Sequence, residues 1–227
     1  MRLANENIHL YYCDMRRFPV AEARLFALLN KSDQLRYRGF KNKTRQRQFA
    51  MARWLIKHVL DQQFGLEVSH DYQLLGYTHW QVVGSELIYP VSISHSGHYI
   101  AVAIAGFSCA IGIDIEQHKP RNYTELLKMF STDEEQRLIS SFADQQRMFY
   151  RLWTAKEAFL KVTQCAIERV HKEQLSACLL HDYAQVSGYY SQSGNLAKGT
   201  YSYCVMTDIA GVMPIQAHEL PYPFVEP

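Results

Sequence analysis

Ile111-Gly112-Ile113-Asp114-Ile115-Glu116 is the stretch that decides how this 227-residue chain is read. Side chains alternate between the two faces of a strand. The isoleucines therefore form a core face, and Gly112, Asp114 and Glu116 share the other. Two carboxylates spaced i, i+2 repel unless a cation sits between them. A hard divalent ion with oxygen ligands answers that need, and magnesium takes one or two carboxylates plus substrate phosphates. Taken alone, so short an acidic pattern more often marks an exposed strand end with two solvated acids.

The surrounding composition narrows the choice. Apolar residues make up 48% and charged residues 20%, as in an ordinary globular protein with material for a sizeable core. A net charge of +2 is too small to argue for nucleic acid. The basic residues are clustered, however: Arg36, Arg38, Lys41, Lys43, Arg45, Arg47, Arg53 and Lys57 fall in residues 36–57 with no acid among them. Such a patch suits an anionic ligand, although a solvated helix face is the usual fate of these residues. Met1–Glu6 leads into no long apolar run, so no signal peptide is expected, and no stretch is apolar enough to span a membrane. Cys13, Cys109, Cys165, Cys178 and Cys204 are scattered and form no C-x-x-C pair. They read as reduced thiols of a cytoplasmic protein rather than as a metal site.

Residues 7–13 read as a first strand and residues 21–29 as a short helix. A stronger helix runs from Thr44, its cap, to Phe64, with Phe49, Ala52, Ile56, Val59 and Leu60 at helical spacing and Gly65 ending it. Val91–Gly97, the apolar run Tyr99–Ala105, a Gly106-Phe107-Ser108 turn and a return strand Cys109–Glu116 read as a hairpin. That turn is the best domain boundary, giving halves 1–107 and 108–227. Helices are expected over 123–129, 132–141 and 144–163. Strands are expected over 174–180, 184–190, 200–207 and 212–217.

Two further segments carry chemistry. Ser94-His95-Ser96-Gly97 sits where a strand meets a turn. It lacks the G-x-S-x-G elbow of a hydrolase, so its histidine and hydroxyls read better as a phosphate-holding group. In Trp153-Thr154-Ala155-Lys156-Glu157-Ala158-Phe159-Leu160-Lys161, Trp153, Glu157 and Lys161 share one helix face. An exposed i, i+4 pair there would contribute only about 0.2–0.5 kcal/mol. Beside a tryptophan, the carboxylate is a candidate metal ligand or general base, and the lysine a candidate leaving-group stabiliser.

In this order, S-H-S-G, G-I-D-I-E and W-T-A-K-E-A-F-L-K resemble the 4′-phosphopantetheinyl transferase superfamily, of the larger Sfp type. The resemblance implies an α+β fold: a pseudo-dimer of two similar halves, each a small antiparallel sheet with packed helices, and an active site in the cleft between them. It implies transfer of the phosphopantetheine arm of coenzyme A to a serine of an apo acyl or peptidyl carrier protein, releasing adenosine 3′,5′-bisphosphate, with Mg2+ required. By the same resemblance Asp114, Glu116 and Glu157 are metal ligands, and Glu157, Lys161 and Glu116 are catalytic. Glu157 also deprotonates the carrier serine, and Lys161 meets the leaving phosphate. Ser94, His95, Lys156 and Lys161 are coenzyme A contacts, together with the basic helix's Arg45, Arg47 and Arg53, of which either Arg45 or Arg47 matches the family's early-helix arginine. Glu134 falls in an F-S-x-x-E segment of the family. The glycine-lysine-proline segment of many relatives is absent, as is the glycine-rich turn they carry after the last lysine. Two alternatives use the same residues: a magnesium-dependent phosphohydrolase of nucleotide diphosphates, and a silent carrier-binding module. Two halves in one chain favour a monomer, and binding to neither nucleic acid nor membrane is expected.

Overall fold

The computed structural model describes residues 7–18, 20–64, 72–75, 79–82, 86, 88–211 and 215–220. The chain divides into two compact units, residues 1–108 with 216–227, and residues 109–215. The fold is α+β, and each unit has its own sheet and helices.

In the first unit, β1 (Ile8–Asp14), β2 (Tyr72–Leu75), β3 (His79–Val82), β4 (Ile88–Ser96), β5 (Tyr99–Ala105) and β10 (Ala217–Glu219) form one sheet, ordered β10-β1-β5-β4-β3-β2. All its pairs are antiparallel except β1 with β10. Every residue of β5 is buried, because β1 and β4 cover both its edges. Three helices accompany the sheet: α1 (Glu22–Ala27), α2 (Lys31–Gly39) and α3 (Lys43–Phe64). Met51, Leu55, Ile56, Val59 and Leu60 of α3 are buried in one cluster with Ile100, Val102 and Ile104 of β5. Each such aliphatic side chain contributes roughly 1.5–3 kcal/mol by leaving water. Asn42 caps α3, its side chain accepting from the Arg45 N–H at 3.2 Å, so the cap stands two residues before the expected Thr44.

In the second unit, β6 (Ile111–Gln117), β7 (Tyr183–Val186), β8 (Tyr189–Leu196) and β9 (Tyr201–Thr207) form an antiparallel sheet ordered β6-β9-β8-β7. Its helices are α4 (Tyr123–Phe130), α5 (Asp133–Ser140), α6 (Gln145–Thr163), α7 (Ile167–Lys172) and α8 (Ser176–Leu180). The long helix α6 lies directly on β6. A Cβ added to Gly112 would stand 2.2 Å from the Ala158 carbonyl oxygen and 2.8 Å from the Val162 nitrogen. Glycine is therefore what lets helix backbone meet strand backbone here.

Four expectations are corrected. β5 pairs with β4 and β1, whereas β6 joins the other sheet, so 99–105 and 109–116 are not a hairpin. The apolar stretch expected as a strand over 174–180 contains helix α8. The single strand expected over 184–190 is two, β7 and β8, turning at Ser187 (φ 50°) and Gly188 (φ 84°). Helices α2 and α7 were not anticipated. In addition, β10 lies beside β1, with Leu10 opposite Ala217, whereas the sequence boundary ran the second half to the end. The expected helix stop at Gly65 lies outside the described residues, as does part of the strand expected over 212–217.

Candidate active site

Strand β6 and helix α6 build the centre of the candidate site. Asp114 is nearly buried, at 5% exposure, on the face of β6 that α6 covers. The Lys161 ammonium donates to Asp114 Oδ1 and to the Ile113 carbonyl oxygen, each at 2.8 Å. The close approach at Gly112 is what brings the last turns of α6 within reach of these atoms.

Glu157 sits one helical turn before Lys161 and is half-buried. Burial pushes its carboxyl pKa above the usual range, Asp114 raises it further, and Lys161 pulls it back. These three groups thus form one electrostatic unit. Glu116, half-buried, lies two residues beyond Asp114 on the same strand face. Tyr150 has its phenol pKa raised by burial first, with Glu116 among the smaller causes, which places that carboxylate near α6 as well.

The donor chemistry fits a hard divalent cation. Asp114, Glu116 and Glu157 offer only oxygen, and the mutual repulsion of Asp114 and Glu157 is the condition a cation relieves. Among the described residues, no three His, Cys, Asp or Glu side chains are drawn into one ready-made cluster. Magnesium does not demand one, since it keeps waters and takes substrate phosphate oxygens beside one or two carboxylates.

Glu157 also borders a pocket of about 80 Å³, largely apolar, walled by Phe130, Trp153, Leu160, Ile167 and Val170 with Lys156 and His171. Trp153 meets Phe130 edge-on, with ring centroids 4.9 Å apart.

The first unit holds a second group. Arg45, exposed at the start of α3, brings its guanidinium against the His95 ring near the end of β4. Ser94 is buried beside it in sequence, and the strand turns at Gly97 with φ 54°. The other arginines are engaged elsewhere. Arg47 donates to the carbonyl oxygens of Val20 (3.2 Å) and Phe18, and so ties α3 to the segment that follows β1. Arg53 is buried, pairs with Asp33 at 3.1 Å and lies over the Phe49 and Trp80 rings.

Lys156 is likewise placed away from solvent, at 4% exposure. Its ammonium pairs with Glu135 Oε2 at 3.0 Å and donates to the Val170 carbonyl at 3.2 Å and to that of Glu173. The acid with structural weight is Glu135, which is fully buried, while its neighbour Glu134 is exposed. The signal was in the sequence: Thr132-x-x-Glu135 is a capping box, and both of its bonds are present.

Residues 110–204 match the family model described as the 4′-phosphopantetheinyl transferase superfamily. That interval holds β6, α6 and the Glu135–Lys156 pair. Over this interval the chain is similar to the 4′-phosphopantetheinyl transferase superfamily. It is 28% identical to the 4′-phosphopantetheinyl transferase HetI of a Nostoc species over 188 residues, 78% of this chain and 76% of the relative. Over 113 residues it is 34% identical to the transferase psf-1 of Bacillus pumilus, covering 48% of this chain and 46% of that one. Over 71 residues it is 41% identical to Sfp of Bacillus subtilis, 31% of each chain. The higher identities are thus confined to a stretch under half as long as these transferases.

Proposed function

We propose that this chain transfers the 4′-phosphopantetheine arm of coenzyme A to a serine of an apo carrier protein, with magnesium as the metal. The observation that carries the reading is the Asp114–Lys161–Glu157 unit on β6 and α6, inside the interval that matches this superfamily's model. The serine oxygen forms a bond to the phosphorus on the pantetheine side, and the pyrophosphate P–O bond breaks. Adenosine 3′,5′-bisphosphate departs with the bonding electron pair. Glu157 accepts the serine proton, a task suited by a carboxyl pKa lifted above its ordinary value. Lys161 spends two of its three N–H donors on Ile113 and Asp114, and the third serves the leaving phosphate. Asp114, Glu116 and Glu157 would hold the metal, which when bound supplies charge neutralisation for the pyrophosphate oxygens.

In the first unit, Arg45 and His95 are assigned to the coenzyme's phosphates, with Ser94 beside them. Arg47 and Arg53 are assigned to holding α3 in place. Arg45→Ala is expected to raise the KM for coenzyme A at least about tenfold with kcat within twofold, since loss of one charge-assisted contact of about 1.5–3 kcal/mol corresponds to about 10- to 150-fold. Steady-state kinetics at saturating carrier checks this, and an unchanged KM makes Arg45 a solvated side chain. The free cysteines fit a reducing, cytoplasmic setting. Among the described residues, no helix is long and apolar enough to cross a membrane.

The reaction is tested by following adenosine 3′,5′-bisphosphate by chromatography. Its release only when an apo carrier is present supports transfer. Coenzyme A consumed without carrier indicates the phosphohydrolase, and coenzyme A bound but never consumed indicates the silent module. Neither alternative has support from the family match or the relatives.

A further inference from the structure

Glu135 and Lys156 form a node in which all three ammonium donors are spent within the protein and both carboxylate oxygens accept. The Glu135 carboxylate accepts from the Thr132 N–H at 2.8 Å, the Leu175 N–H at 2.7 Å and the Lys156 ammonium at 3.0 Å. The ammonium has three donors, and they go to Glu135, the Val170 carbonyl and the Glu173 carbonyl. One buried pair thereby joins the start of α5, the middle of α6, the end of α7 and the entry to α8. Saturation leaves Lys156 no donor for a phosphate, which is the role the family resemblance gave it.

The node bears on Glu157 in two ways. Lys156 precedes Glu157 by one residue, about 100° around the helix, so anchoring one fixes the direction of the other. It also holds α7, a helix of six residues with no side-chain cap at its N-terminus. So short a helix has little stability of its own, and its placement depends on tertiary contacts. Ile167, Val170 and His171 of α7 line the pocket that Glu157 borders. We propose that Glu135 is a positioning residue for Glu157, acting through the buried Lys156 ammonium and the carbonyls of α7. This rests on the transfer reaction proposed above.

The test compares Glu135→Gln, Lys156→Met and the double variant with the wild-type chain, by thermal melting and carrier-dependent kinetics. Replacing both members of a buried pair with neutral groups avoids stranding a charge, so the double variant is the one expected to fold. Its kcat is expected to fall at least tenfold with the KM for coenzyme A within twofold, because α7 has lost its anchor. A folded double variant with wild-type kcat makes the node merely structural and overturns the proposal. A tenfold rise in the coenzyme A KM of Lys156→Met at unchanged kcat makes Lys156 a phosphate ligand and also overturns it.

A second measurement needs no variant to fold. Acetylation of wild-type protein by an N-hydroxysuccinimide ester is expected to modify Lys161, whose side chain is 29% exposed, and to spare Lys156, at 4%, with or without coenzyme A. Acetylation of Lys156 in the free protein, protected by coenzyme A or not, contradicts the saturated node. This footprint reads the node even if no carrier is modified, so failure of the transfer reading is distinguishable from failure of the inference.

Discussion

Glu157→Gln is expected to lower carrier-dependent kcat at least a hundredfold and to leave the protein folded. The replacement keeps the shape of the side chain and removes its charge and its capacity to take a proton. General-base catalysis contributes typically about 10²–10⁴-fold. The stability side has a definite sign. Burial and Asp114 raise the Glu157 pKa above 4.5, so the folded state holds this proton more tightly than the unfolded chain does. The ionised carboxylate therefore costs stability at neutral pH. That cost appears as pH rises from the ordinary value of 4.5 through the raised one, and is absent below both. Glutamine escapes it, so the variant should melt at or above the wild-type temperature at pH 7, with the difference vanishing toward pH 4. Near-normal turnover removes Glu157 from the mechanism. A large loss of stability at neutral pH assigns it a structural role instead.

The second large effect belongs to Gly112→Ala, a change of one methyl group. A Cβ at 2.2 Å from the Ala158 carbonyl oxygen meets backbone, not the end of a flexible side chain. Helix α6 has to move away from β6 by on the order of 1 Å to admit it. Overpacking a core typically costs about 1–3 kcal/mol. Here the displaced element also carries Glu157 and Lys161, and the Lys161 bonds to Ile113 and Asp114 lengthen with it. Misplacing a catalytic group by about 1 Å can cost about a hundredfold in rate. The expected result is a melting temperature lower by roughly 10 °C, scaled from about 4–8 °C per kcal/mol for a unit of this size, and a kcat at least a hundredfold down. A variant with wild-type melting and turnover would show that α6 does not press on this strand.

What the sequence made legible was local. The isoleucine alternation at 111–115 identified β6 and its carboxylate face, and helical spacing located α3 and α6 to within a residue or two. Strand partners were not legible, because they depend on surfaces distant in sequence. Gly106-Phe107-Ser108 looks like a hairpin turn, yet β6 takes its partner from Tyr201–Thr207. Short apolar runs are ambiguous between helix and strand, which is why 174–180 misled. The Ser187-Gly188 dipeptide is itself a hairpin-turn signal, with both residues at positive φ, which an unbroken strand over 184–190 does not accommodate. The same division holds at the site. Asp114, Glu157 and Lys161 came from motif spacing, and the structure draws them into one unit. Arg45 and Arg47 are two residues apart on one basic helix, and composition gave no means of telling the arginine that meets His95 from the one that ties down a loop. The Lys156–Glu135 pair was not legible either, because the two residues lie 21 positions apart in sequence.

The most direct measurement is the intact mass of apo carrier proteins incubated with this chain, coenzyme A and magnesium. The account predicts that a carrier gains the mass of one phosphopantetheine, that chelating the metal abolishes the gain, and that Glu157→Gln fails to produce it. No gain on any carrier of the fatty-acid, polyketide and nonribosomal-peptide classes, with coenzyme A bound or hydrolysed, would contradict the assignment of this site to phosphopantetheine transfer.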